Sequence, residues 1–287
     1  MERFLRCIWT ITLVVQIYGR IVYKPNPESA LDDTSSSLIS LAISPDAAFE
    51  RDILGIDAPS NIKEMIGKNA VLDDALKWKG LVIPFAFSKT FLNERDRMQV
   101  VLDAIEVFQN ATCLTFVQRT TETQYLQIFA DLGGCYSYIG KQLANPPDFK
   151  GQRVGLNINH CFKDGKSGIA QHEIMHAIGF YHEQSRLDRD EYVDINWSNI
   201  EPDNKAQFQK YINTTAFGEP YDFGSVLHYG MYDFAIDPTV WTIRPKEKYR
   251  GQEIGQRDGL SATDIRKINK MYNCTKPTTT STPPGTS

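Results

Sequence analysis

Residues Gln171–Asp188, QHEIMHAIGFYHEQSRLD, decide how this chain is read. Within them His172, Glu173, His176, Gly179 and His182 form the pattern H-E-x-x-H-x-x-G-x-x-H. On a helix His172 and His176 sit one turn apart on one face, so both imidazoles can reach a single metal ion. Glu173 lies beside the first of them, placed to take a proton from water at that metal. Gly179 lets the backbone leave the helix through a left-handed conformation that a Cβ resists. That exit brings His182 back as a third ligand. Three neutral imidazoles with one open position describe a catalytic zinc, because structural sites fill all four positions with protein ligands. The pattern predicts a zinc peptidase.

A lone histidine on an amphipathic helix is ordinarily a packed or surface residue. Here three of the chain's five histidines fall at motif positions. The added glycine and third histidine make the pattern far more specific than H-E-x-x-H alone.

The rest of the sequence describes a processed, exported protein. Its 287 residues, 41% hydrophobic and 23% charged, suit one substantial domain with processed ends. A formal net charge of −4 and the lack of a basic block set nucleic-acid binding aside. Arg3 and Arg6 precede an apolar stretch from Cys7 to Tyr18, with Gly19 at a cleavage position, as in a secretory signal. The stretch is broken by Thr10, Thr12 and Gln16, and spanning a bilayer takes about twenty mainly apolar residues. No membrane partner is expected; a soluble, secreted, extracellular monomer is.

Removal of Cys7 with the signal leaves Cys113, Cys135, Cys161 and Cys274, an even set consistent with two disulfides in any of three pairings. Asn110, Asn196, Asn213 and Asn273 open N-glycosylation sequons.

Composition shifts divide the chain into a signal peptide (1–19), a Ser-, Asp- and Pro-rich propeptide (20–68), a catalytic domain (69–276) and a Thr/Pro-rich tail (277–287) expected to be disordered. Leu81 to Phe87 is strand-like, with Pro84 suggesting an edge or end position. Asn93 to Asn110 reads as a helix whose Met98, Val101, Ile105 and Phe108 face a core, with Asn93 as its cap. Leu114 to Val117 and Tyr125 to Ala130 are further strands, the second ended by Gly133-Gly134.

Beyond the zinc motif itself, the chain resembles the astacin family of metzincin metallopeptidases from Asn69 to Cys274. The likeness is carried by HEIMHAIGFYHEQSRLDRD, by YDFGSVLHYG (Tyr221 to Gly230), by GGCYSYIG (Gly133 to Gly140) and by LSATDIRKINKMYNC (Leu260 to Cys274). It implies an α+β fold of two lobes around a cleft. The upper lobe would hold a twisted β-sheet and the zinc helix, and the lower lobe would be mostly irregular. It also implies the disulfides Cys113–Cys274 and Cys135–Cys161.

The family's methionine in the turn beneath the zinc is replaced here by Leu227, a swap of similar volume expected to cost under about 1.5 kcal/mol. Tyr229 matches the tyrosine that serves as an additional zinc ligand at rest and, off the metal, can donate a hydrogen bond to an oxyanion. Glu183 matches a glutamate that contacts the new N-terminus of the mature enzyme, which here would be Asn69 after a cut by an activating protease at Lys68. Phe49-Glu-Arg-Asp52 resembles the propeptide motif whose aspartate occupies the zinc in the latent form, although Arg51 stands where the family has glycine. Asp57 is the rival for that role.

The expected activity is hydrolysis of peptide bonds in protein substrates, with one Zn2+ per catalytic domain. An extended substrate is expected along an edge strand preceding Gly133. Two other classes compete with this reading. A catalytically dead binding module would lack a ligand or the base, and this chain lacks neither. A small-molecule zinc hydrolase would not need the separate pro-segment.

Overall fold

The computed structural model describes residues 53–54, 70–130, 133–142, 151–162, 165–211 and 214–275. The signal stretch, Asp52, Asp57, Asn69, Asn213 and the Thr/Pro-rich tail lie outside the described residues, as does the pro-segment except for Ile53 and Leu54.

The upper lobe is built on a six-stranded sheet. Its strands are β1 (Ile53–Leu54), β2 (Val82–Phe87), β3 (Thr115–Gln118), β4 (Leu126–Phe129), β5 (Cys135–Tyr138) and β6 (Gln152–Leu156), in the spatial order β1-β5-β6-β4-β2-β3. Every neighbouring pair is parallel except β5 with β6. The interior strands β4 and β6 are buried along their whole length, as expected of a parallel sheet covered on its faces.

Pro84 does not mark an edge strand, because β2 lies between β4 and β3. It is registered against Val117 of β3, while the ladder to β4 begins only at Phe85. A residue without an N–H is thus accommodated before the strand gains its second neighbour.

Two helices follow β2. The short α1 (Lys89–Leu92) precedes α2 (Arg95–Ala111), which buries Val101, Leu102, Ala104, Ile105 and Phe108 in the core. Asn93 is not the cap of α2, as the sequence pattern suggested. It is the C-terminal cap residue of α1, and Glu94 occupies the N-cap of α2. Helix α3 (Gly168–Ala177) packs against α2 and β5. Helix α4 (Ala262–Met271) opens with a capping box, in which Ser261 Oγ accepts from the Asp264 N–H and Asp264 accepts from the Ser261 N–H.

The lower lobe carries 3-10 turns and one two-stranded antiparallel ribbon, β7 (Val193–Ile195) with β8 (Ile243–Pro245). It has its own apolar cluster, which includes Val193, Ile200, Phe208, Phe223, Phe234 and Ile243. Disulfides join Cys113 to Cys274 and Cys135 to Cys161. The first fastens the end of α4 to the segment between α2 and β3. The second fastens β5 to the loop after β6. No helix among the described residues is long and apolar enough to cross a membrane.

Candidate metal centre

Helix α3 carries Ala, Gln, Glu and Met, all good helix formers, and is buried on every side from Ala170 to Ala177. Its start is crowded: a Cβ on Gly168 would come 1.7 Å from the carbonyl oxygen of Arg257. Its far end is held by two aromatic side chains. Trp78 Nε1 donates to the Ala177 carbonyl at 2.9 Å, and the Tyr272 hydroxyl donates to that of Ile178 at 2.9 Å. At Gly179 the backbone turns with φ +113°, and a Cβ there would press on Met271 and Val71.

This turn brings three imidazoles together. The ligand atoms of His172, His176 and His182 lie within 4.8 Å of one another, and all three residues are buried. The ring centroid of His182 is 4.7 Å from that of His176 and 5.5 Å from that of His172.

The tautomers follow from the backbone. His172 Nδ1 lies 2.7 Å from the carbonyl oxygen of Val226, and His176 Nδ1 lies 2.7 Å from that of Phe180. A carbonyl only accepts, so both Nδ1 atoms carry the proton and both Nε2 atoms keep a lone pair. Those Nε2 atoms face each other at 3.0 Å. Two lone pairs held that close inside the protein suit a shared cation, and imidazoles anchored through the far nitrogen to a carbonyl are the usual arrangement of zinc ligands. The donor set fits zinc with a position left for water or substrate.

Two further buried groups complete the candidate set. Glu173, next to His172 on α3, is 1% exposed. Tyr229 is equally buried, with its ring 4.5 Å from that of His182 and packed against Phe208 and Phe234. Tyr229 therefore lies where the lower-lobe aromatic cluster meets the histidines. Its N–H donates to Gln184 Oε1 at 3.1 Å.

The turn beneath the histidines is fixed from several sides. Leu227 is fully buried in the main core, its N–H donates to Ser225 Oγ, and its carbonyl accepts from the Glu183 N–H at 3.0 Å. His228 donates from Nδ1 to the Tyr229 carbonyl at 2.8 Å, so its Nε2 accepts from the Tyr221 hydroxyl at 2.7 Å. Burial lowers the His228 pKa to about 4 and keeps the ring neutral.

Glu183 is completely buried. Burial pushes its carboxyl upward, but Lys267 and then Arg186 outweigh that effect and leave it below its ordinary value.

Several supporting residues escape a reading of the sequence. Asp264 accepts from Ser225 Oγ at 2.7 Å and from the Val226 N–H at 2.9 Å, so α4 holds, through its N–H, the residue whose carbonyl orients His172. The pattern Ser261-x-x-Asp264 is itself a capping-box signal that could have found it. Arg186 bridges Glu183 and Asp188, and no local periodicity announces that role.

The expected substrate strand requires correction. The strand before Gly133 is β4, which lies inside the sheet between β6 and β2. The strand near that edge is β5, after Gly134, and β1 runs parallel along its outer side with Ile53 opposite Ser137. Of the sequons, Asn110 and Asn273 are exposed, whereas Asn196 is half-buried and bonded to the Trp241 carbonyl.

Residues 70–273 match the peptidase family described as Astacin. The chain is 42% identical over 211 residues to embryonic protein UVS.2 of Xenopus laevis, an alignment covering 72% of this chain and 38% of that protein. It is 41% identical over 222 residues to zinc metalloproteinase nas-13 of Caenorhabditis elegans, covering 76% of this chain and 45% of the relative. It thus spans less than half the length of either protein. The structure is similar to that of high choriolytic enzyme 1, a hatching enzyme zinc-protease from Oryzias latipes, with TM-score 0.60 and 37% identity over 69% of this chain and 93% of that one. On the motif, the buried histidine cluster and these matches, the chain belongs to the astacin family.

Proposed function

We propose that this chain is a zinc-dependent endopeptidase, secreted and made as a zymogen. The observation that carries the reading is the convergence of three buried imidazoles, two of them with Nδ1 spent on backbone carbonyls and borne by a helix that also carries the buried carboxylate of Glu173 directly after His172. His172, His176 and His182 would hold the zinc. Bound there, zinc supplies Lewis acidity, lowering the pKa of water toward about 7 and polarising a carbonyl.

The protein's own groups do the rest. Glu173 accepts the proton of the attacking water and passes it to the leaving amine. Tyr229 donates its hydroxyl hydrogen to the oxyanion that forms at the scissile carbonyl. The α3 helix and the Val226 and Phe180 carbonyls keep the His172 and His176 imidazoles oriented without reorganisation during the reaction.

Latency has a parallel support. β1 lies along the outer side of β5, where an extended peptide would otherwise add its backbone to the sheet. The pro-segment (20–68) would thus cover the substrate edge, with Asp52, the residue before β1, as the carboxylate that reaches the zinc. Removal of that segment by a cut after Lys68 would free the edge. Secretion is supported by the N-terminal signal pattern and by the two disulfides.

The test is casein cleavage by the full chain after trypsin treatment, with zinc measured on the same sample. One zinc per chain and activity abolished by 1,10-phenanthroline are expected. Cleavage that continues in the metal-stripped protein would contradict the reading.

A further inference from the structure

Lys267 lies in the middle of α4 and is 0% exposed. An ammonium taken wholly out of water is costly unless a partner meets it. Its Nζ lies 2.5 Å from Glu183 Oε2, an oxygen of an equally buried carboxylate 84 residues earlier in the chain. The other oxygen of Glu183 accepts from Arg186 Nη1 at 2.9 Å and from the Asp222 N–H at 2.9 Å. Arg186 is shared, since its Nε and Nη2 also bond Asp188 at 2.8 and 2.7 Å. Among the described residues, Lys267 Nζ is directed at Glu183 alone.

Glu183 directly follows the third histidine, and its N–H is bonded to the Leu227 carbonyl beneath the site. The peptide carrying His182 is therefore fastened to the turn by its backbone and to α4 by its side chain. The same helix reaches His172 by the other route, through Asp264 and Val226. One helix thus braces two of the three ligands from below.

We propose that Lys267 is a positioning residue for the metal centre: through Glu183 it fixes the segment carrying His182, and with Arg186 it supplies the positive charge that this buried carboxylate needs. The inference rests on the assignment of the three histidines as zinc ligands.

The test uses the full, uncut chain. Zinc affinity is measured by competition with a chromogenic chelator, and site geometry by the visible spectrum of the Co2+-loaded protein. Lys267→Met is expected to weaken zinc about tenfold to a hundredfold, the usual effect of losing a group that orients a ligand, and to shift the cobalt bands. Because Lys267→Met leaves two buried or half-buried carboxylates, Glu183 and Asp188, sharing the one Arg186 guanidinium, which can prevent folding, Lys267→Met/Glu183→Gln is made beside it. Removing both charges leaves no uncompensated ion, so this pair should fold with zinc binding still weakened.

Unaltered affinity and an unaltered cobalt spectrum in either folded variant would overturn the positioning role. Failure of the unaltered chain to bind zinc at all would overturn the ligand assignment, and the proposal with it.

Discussion

His172 Nδ1 donates to the carbonyl oxygen of Val226 at 2.7 Å, across 54 residues of sequence. This bond links the zinc helix of the upper lobe to the turn that floors the site. It sets the tautomer that leaves Nε2 for the metal. Val226 is in turn held through its N–H by Asp264, so the orientation of a ligand depends on the first turn of α4.

Asp264→Ala removes the acceptor for Ser225 Oγ and the Val226 N–H, both fully buried, and for the half-buried Ser261 N–H. Each buried donor left unsatisfied costs about 1–3 kcal/mol, so a loss of several kcal/mol in stability is expected. Zinc should also be released about tenfold more readily. Thermal unfolding and chelator competition on the same variant check both parts.

Glu219 gives a pH-dependent term away from the metal. Burial raises its carboxyl, but the hydrogen bonds from Lys270 and Arg266 outweigh burial and leave it below its ordinary 4.5. A depressed folded-state pKa contributes stability above the ordinary value, and that stability is lost as pH falls through the folded one. Both cations are about half exposed, so the term is worth about 1 kcal/mol or less. Glu219→Gln should melt slightly below the unaltered protein at pH 7, with the difference closing below pH 4.5. Paired melting curves across that range, repeated at high salt, measure it.

The Cys113–Cys274 bond closes a loop with a sequence separation of 161 residues. Loop-closure entropy for so long a loop sets an upper figure of about 5 kcal/mol. Cys113→Ala/Cys274→Ala should lower stability by up to that amount and loosen α4 first. Hydrogen exchange of the α4 amides, compared with those of α2, distinguishes this from uniform destabilisation.

Leu227→Met installs a side chain of similar volume in a fully buried position whose backbone already holds the Glu183 N–H. Stability should change by under about 1.5 kcal/mol and zinc stoichiometry should not change. A large gain in zinc affinity would show that the thioether contributes more than volume.

The zinc helix was legible because its information is local. Two histidines four apart and a glycine three residues on define one face and one exit, and the structure has both. The strand order was not legible, since parallel neighbours come from distant segments. The strand before Gly133 reads as an edge in sequence and lies inside the sheet. The Asn93 cap failed because the four-residue helix ahead of it uses that residue for its own end. The pairing of Lys267 with Glu183 joins two charges 84 residues apart, and only the tertiary fold buries them together. Asp264 stood between these cases: its capping box was readable, its hold on Val226 was not.

The most direct measurement compares the unaltered chain with Glu173→Ala, both treated with trypsin, for zinc content and for kcat/KM on a peptide substrate. Glu173 is a proton carrier in this account and not a ligand. The variant should keep one zinc per chain while kcat/KM falls by about a hundredfold to ten-thousandfold. Cleavage at the unaltered rate by the zinc-loaded variant would contradict the account.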